Sequence, residues 1–218
     1  MGILSSLLSS CRIDAREYKR RTKNKTAEQK RVLNYFVKSG LIPMFTNMKD
    51  EEYDALVQSK RNAIDIKKKA LGKIGLDESQ VSEIPPVCFE GYEYDGMDCW
   101  TKVGKDGKAR SSAYSVTQLF FSDTQVYMYQ IIFSMDDGAK KERTEEYFYR
   151  DITNFATSSE TEQIAEMSGC TGKVTDRMVD VRRFSMVVPG DKFTCSTSQD
   201  IERQVSAMKA KLREKKQV

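Results

Sequence analysis

The chain predicts an α+β protein, with a helical segment first and then an antiparallel β-domain closed by one C-terminal helix. Three observations carry this. Between Ala113 and Ile152 apolar and polar residues roughly alternate, through Tyr114, Val116, Gln118 and Phe120 and then Val126, Met128, Gln130 and Ile132. Short turns interrupt that stretch at Ser122-Asp123 and Asp136-Asp137-Gly138, so it reads as three antiparallel strands in a row. Ahead of Pro85-Pro86 the apolar residues recur at helical spacing instead. A last helical stripe, Ile201, Val205, Met208 and Leu212, ends the chain.

Taken in order, residues from about Ile13 to Ser39 read as a helix with Val32, Leu33, Phe36 and Val37 on its apolar face, stopped by Gly40 and Pro43. A second helix is expected from Asp50 to Ile74, its stripe being Tyr53, Leu56, Val57, Ile64, Leu71 and Ile74, with Gly75 as its end. Asp77 and Gln80 have the spacing to cap one further turn. Pro85-Pro86 forbids continuation and divides the chain into a basic helical segment, 1–86, and a β-domain, 87–218. Strands are expected at Val87 to Tyr94 and Trp100 to Val103, followed by a Gly104-Lys105-Asp106-Gly107 turn and the three-stranded meander. Ser158 to Thr175 is polar, contains Gly169 and Gly172, and reads as a loop. Met178 to Val188 and Lys192 to Cys195 complete about seven strands, and Thr197 or Ser198 is placed to cap the final helix.

Composition narrows the function by exclusion. With 39% hydrophobic and 31% charged residues the chain has enough apolar side chain for a core, which argues against wholesale disorder. No apolar run approaches the roughly 18 residues of a spanning helix. The charges near the N-terminus follow its short apolar stretch, the wrong order for a secretory signal. Met1 to Ser6 fits the short N-myristoylation pattern, which matches often by chance. There is no histidine, which removes the commonest general base near neutral pH and the commonest metal ligand. The five cysteines, Cys11, Cys88, Cys99, Cys170 and Cys195, contain no C-x-x-C pair, so a zinc site of ordinary spacing is not supported. Their odd number and scatter point to free thiols in a reducing, cytoplasmic compartment. No cofactor and no metal are expected.

Charge is uneven. Residues 1–86 carry 17 Lys and Arg against 11 Asp and Glu, while 87–218 carry 19 against 21. Nine of the bases lie between Arg12 and Arg31, among them Arg16, Lys19, Arg20 and Arg21; a second basic group, Lys209 to Lys216, closes the chain. One continuous patch of the two would hold a phospholipid surface or nucleic acid, although aromatic interleaving and any DNA-reading motif are missing. A second candidate anion site is the GKDGKAR hairpin with Lys102, Lys105, Lys108 and Arg110; a solvated turn is the commoner meaning of such a tip. Glu142, Glu145, Glu146 and Asp151 are not read as an acid pair, because strand alternation sends Glu145 and Glu146 to opposite faces.

Three passages give the C-terminal three-fifths a familiar outline: the LFFSDTQVYMY hairpin, the acidic-aromatic strand EEYFYRDITNF, and the terminal VVPGDKFTCSTSQDIERQVSAMKAKLREKK. From about Val87 to Lys216 the chain resembles the bacterial pleckstrin-homology-like (PH-like) domains, and KKALGKIGLDESQVSEIPPV looks like the helical lead-in of such chains. The resemblance rests on order and spacing, without an invariant motif. It implies a bent, nearly closed antiparallel barrel of about seven strands with the helix plugging one end, and no catalytic residue. The expected function is a non-enzymatic intracellular module that docks a protein or peptide at an exposed sheet edge or in the groove beside the closing helix, with self-association open to the N-terminal helices. The alternative is the anionic-surface binder.

Overall fold

The structure, a computed structural model, describes residues 15–36, 48–81, 84–95, 97–167, 174–198 and 201–216. Met1 to Ser6, Cys11, Arg12, Ile13, Val37, Ser39, Gly40, Pro43, Gly169, Cys170 and Gly172, named above, lie outside them, as does the side chain of Arg16.

Among the described residues four helices precede the strands where two were expected: α1 (Ala15–Thr22), α2 (Ala27–Phe36), α3 (Asp50–Asn62) and α4 (Ile66–Ile74). Each anticipated helix is cut by a local cap. Thr26 and Gln29 form a reciprocal capping box at the start of α2: Thr26 N donates to Gln29 Oε1 at 2.9 Å, and Gln29 N donates to Thr26 Oγ1 at 3.2 Å. The Asp65 carboxylate accepts the Lys68 amide at 3.1 Å and starts α4 afresh. Gly75 ends α4 as expected, at φ 79°, a left-handed conformation that costs a glycine nothing. The Asp77–Gln80 cap also forms, with Asp77 N donating to Gln80 Oε1 at 2.8 Å ahead of a 3₁₀ turn, Glu78–Val81.

Nine strands follow among the described residues: β1 (Val87–Glu93), β2 (Thr101–Val103), β3 (Ala109–Ser111), β4 (Ala113–Phe121), β5 (Gln125–Ser134), β6 (Lys140–Phe148), β7 (Asn154–Met167), β8 (Val174–Val188) and β9 (Asp191–Thr197), and then helix α5 (Glu202–Lys216). All pairing is antiparallel, in three sheets ordered β1-β4-β5-β6, β2-β3 and β7-β8-β9. None closes into a barrel. The two larger sheets meet where β9 ends against β1: the Ser198 amide donates to Glu90 O at 2.9 Å and its hydroxyl to the same oxygen at 3.1 Å. Ser198 is therefore a seam residue and not the cap expected for α5.

Asn154 to Met167 corrects the loop expected over Ser158 to Thr175 as far as Met167, and residues 168–173 lie outside the described ones. The segment is a 14-residue strand paired in continuous register with β8, from Asn154 opposite Val187 to Met167 opposite Val174. The ladder runs past the core, so from Thr157 to Gln163 the side chains of β7 are exposed or half-buried and leave no apolar alternation to read. β8 also buries opposite faces at its two ends. Phe184 and Met186 enter the core beside α5, whereas Val179 and Val181, of the other parity, pack with Ile164 against Tyr94, Val103 and Ala109.

Helices cover both faces of the four-stranded sheet. On one face Val32, Leu33, Tyr35, Phe36, Tyr53 and Val57 of α2 and α3 meet Tyr114, Val116, Phe120, Tyr129, Ile131 and Phe133. A run of rings crosses that interface: Tyr35 stacks on Tyr53 at 4.5 Å, Tyr53 on Tyr92 at 6.2 Å, and Tyr92 meets Tyr114 edge-on at 5.4 Å. On the other face the expected α5 stripe, Ile201, Val205, Met208 and Leu212, packs among Phe89, Leu119, Phe121, Val126, Met128, Phe155, Phe184 and Phe193. Covered twice, β4 is buried along its whole length, its polar Ser115, Thr117 and Gln118 included. No helix among the described residues is long and apolar enough to cross a membrane.

Candidate functional site

The four basic residues of the β2–β3 hairpin do not converge on an exposed anion site. The Arg110 side chain is only 2% exposed, and its guanidinium is shared between two carboxylates. Nε and Nη2 donate to Asp54 Oδ1 and Oδ2 at 2.8 and 2.7 Å; Nη1 and Nη2 donate to Asp106 Oδ1 and Oδ2 at 2.9 Å each; Nη1 also reaches Lys108 O at 3.3 Å. These contacts use all five N–H donors of an arginine. The bond from Arg110 in turn holds the Asp106 carboxyl well below the usual carboxylate range. Lys102 lies 3.7 Å from Asp50 Oδ1 and 3.7 Å above the Tyr35 ring. The Lys105 amide donates to Asp50 Oδ2 at 2.8 Å, leaving its side chain exposed with that of Lys108. The hairpin tip is thus clamped on the first two turns of α3 by Asp50 and Asp54, four residues apart on one helix face. A Cβ at Gly104 would lie 2.3 Å from Arg110 Nη1 and 2.7 Å from both Asp50 Oδ2 and Asp106 Oδ1, so a side chain there would push the ends of the clamp apart.

The other basic group does not extend to the C-terminus. Lys19 and Arg20 of α1 are exposed, while the Arg21 guanidinium lies 4.9 Å from the centre of the Trp100 ring. Lys25 Nζ donates to Asp136 O at 2.5 Å, at the β5–β6 turn, whereas Lys215 Nζ is 3.5 Å from Asp123 Oδ1, at the β4–β5 turn. The ten residues of β5 separate those turns by roughly 30 Å, so the basic N-terminal and C-terminal helices bear on opposite ends of the sheet.

The aromatic residues of the sequence are mostly core. Tyr129 is fully buried and Tyr114 nearly so, while Phe148 at the end of β6 is 43% exposed beneath the Arg150 guanidinium. The three described thiols are held in the protonated form: burial pushes Cys99 up to about 11 and Cys195 up to about 12, and raises Cys88 as well. No group of three or more His, Cys, Asp or Glu suited to a metal ion occurs among the described residues.

Two clefts remain. One, of about 430 Å³, lies between the start of β7 (Thr157, Ser158, Ser159), Arg182 and Arg183 of β8, and the beginning of α5 (Ile201, Glu202). Beside it β7 has β8 as its one ladder partner among the described residues, its only other bond of note being at the far end, where Ala165 O accepts the Thr101 hydroxyl, and Thr157, Ser159, Glu160, Thr161 and Gln163 are exposed. The other, of about 650 Å³, is walled by α3, Tyr92 and Tyr94, the β2–β3 hairpin, and the facing stretches of β8 and β9. Between the clefts, Arg183 Nε donates to Glu162 Oε1 at 3.0 Å and Nη2 is 3.7 Å from Asp95 Oδ2, next to buried Glu93. Sequence reading missed both clefts, because their walls come from strands and helices far apart in the chain.

No family model, curated protein or solved structure matches the chain.

Proposed function

We propose that the chain is a non-enzymatic, cytoplasmic docking module on a PH-like scaffold, and that it takes an extended peptide segment of a partner protein along β7. The strand order supports the scaffold: β6-β5-β4-β1 lies beside β9-β8-β7, with α5 between the two sheets. The observation that carries the docking role is the free edge of β7 next to the 430 Å³ cleft at the start of α5. An edge strand offers unpaired N–H and C=O groups to an incoming strand, and alternate side chains of that strand would reach the cleft. β6, the other open edge, has Lys140, Lys141, Glu142, Arg143, Glu145 and Glu146 among its nine residues, the charge density by which proteins block strand addition. The middle of β7, Thr157–Gln163, carries only Glu160 and Glu162 as charged residues and otherwise presents Thr, Ser and Gln.

The test is selection of displayed random 12-residue peptides against the full chain, followed by hydrogen exchange with the enriched peptides bound. Slowed exchange confined to Thr157–Gln163 is the expected result. Failure of any peptide to enrich, or protection elsewhere with β7 unchanged, would overturn the proposal.

A further inference from the structure

The 650 Å³ cleft is separate from the β7 groove, and its polar groups fall into two sets. The first is already engaged. Arg110 has no donor left; Tyr92 donates its hydroxyl to Asp54 Oδ1 at 2.6 Å and Tyr94 donates to Ala109 O at 3.1 Å; the Tyr114 hydroxyl accepts Gln58 Nε2 at 3.3 Å. These tyrosines therefore offer ring surface more than hydrogen bonds. The second set is uncommitted. Lys108 and Arg182 are exposed in the lining, with no carboxylate within ion-pair distance among the described residues. Ser196 also lines the cleft; it is 3% exposed, and its hydroxyl is buried without a hydrogen-bond partner among those residues. A buried hydroxyl left unpaired is costly and is rare in folded proteins.

Tyrosine rings whose hydroxyls are already hydrogen-bonded, two cations without a carboxylate among the described residues and an unused hydroxyl donor describe one kind of ligand. From these groups the geometry points to a binding site for a small organic anion, a planar ring bearing a phosphate or carboxylate group. The ring lies against Tyr92, Tyr94 and Tyr114, and the anion is held by Lys108, Arg182 and the Ser196 hydroxyl. The volume is within the usual range for such ligands. The Asp54–Arg110–Asp106 clamp fixes the hairpin wall of the cleft in place before any ligand arrives, which lowers the ordering cost of binding.

The experiment is a titration of the full, isotope-labelled chain with phenyl phosphate, benzoate, inorganic phosphate and benzyl alcohol, followed by NMR. Expected is saturable binding of phenyl phosphate or benzoate, with a Kd below about 1 mM and shifts at Tyr94, Tyr114 and Ser196. Preference between those two probes identifies the anionic group as phosphate or carboxylate. Arg182 borders both clefts, so the diagnostic variants are Lys108→Gln and Ser196→Ala, which belong to this cleft alone. Each should weaken binding at least about fivefold, as expected for loss of a hydrogen bond to a charged group. Lys108 is exposed, and its substitution leaves the fold intact. The inference is overturned if no probe shifts these signals, if inorganic phosphate or benzyl alcohol binds as tightly as the ring-bearing anions, or if Lys108→Gln binds undiminished. Shifts confined to Thr157–Gln163 would also overturn it while leaving the β7 proposal standing.

Discussion

Glu93 is 5% exposed at the end of β1, beside Asp95 and near Arg183, which is itself bonded to Glu162. Burial, together with the hydrogen bond and charge of Asp95, pushes its pKa up to about 7 from 4.5, against the pull of Arg183. The folded chain therefore keeps a proton that the unfolded chain has released. This group's contribution to stability is complete below pH 4.5 and is lost as the pH rises through about 7. Urea midpoints at pH 5 and pH 8 should show that decline in the parent chain and a flatter profile in Glu93→Gln, whose amide cannot ionise. An unchanged profile in the variant would assign the decline to other groups. Arg110 is the opposite case, a buried charge kept ionised by two carboxylates, and it illustrates why a basic hairpin in a sequence is a poor guide to a free anion site. The count of lysines and arginines in GKDGKAR is visible, whereas Asp50 and Asp54, which neutralise or orient them, sit more than fifty residues earlier.

Among the elements, α5 was the most legible. Its stripe of Ile201, Val205, Met208 and Leu212 is buried as its 4-3-4 spacing requires, between the two larger sheets. Met208 is 1% exposed, and Met208→Ala should cost about 3 kcal/mol by chemical denaturation. Arg203→Ala on the exposed side of the same helix should change stability by less than about 0.5 kcal/mol. Equal effects would show that α5 does not contribute its apolar face to the core. The breaks between α1 and α2 and between α3 and α4 were legible too, though only to a reader who gave caps priority over apolar spacing. T-A-E-Q is a capping-box string, and Asp65 is a good N-cap residue. β7 had no comparable signal. A strand that extends beyond the core needs backbone partners and little apolar side chain, so its sequence looks like that of a loop.

For the whole molecule, the helical front and the β-domain share a core. Tyr114, Val116, Phe120, Tyr129, Ile131 and Phe133 on the sheet are buried under α2, α3 and α4, with Tyr53 donating its hydroxyl to Ser111 O at 2.7 Å. Removing residues 1–81 would uncover that aromatic face. The remaining fragment should bind a hydrophobic dye and associate at micromolar concentration, as measured by dye fluorescence and light scattering. A monomeric fragment with dispersed NMR signals would make the Pro85-Pro86 boundary a folding boundary as well. The same packing covers the apolar faces of α2 and α3 within one chain, where sequence alone left them open for self-association.

Local pattern determined the α+β class, the meander, the stop at Gly75 and the buried face of α5, because each rests on spacing within a few neighbouring residues. The sheet partners, the pairing of β7, the neutralised hairpin and both clefts were decided only by the tertiary structure. Each of these joins residues far apart in sequence: Ser198 with Glu90, Arg110 with Asp54, Thr101 with Ala165. Burial and charge pairing depend on distance in space, and that distance is fixed only when the sheets have met and the helices have closed over them.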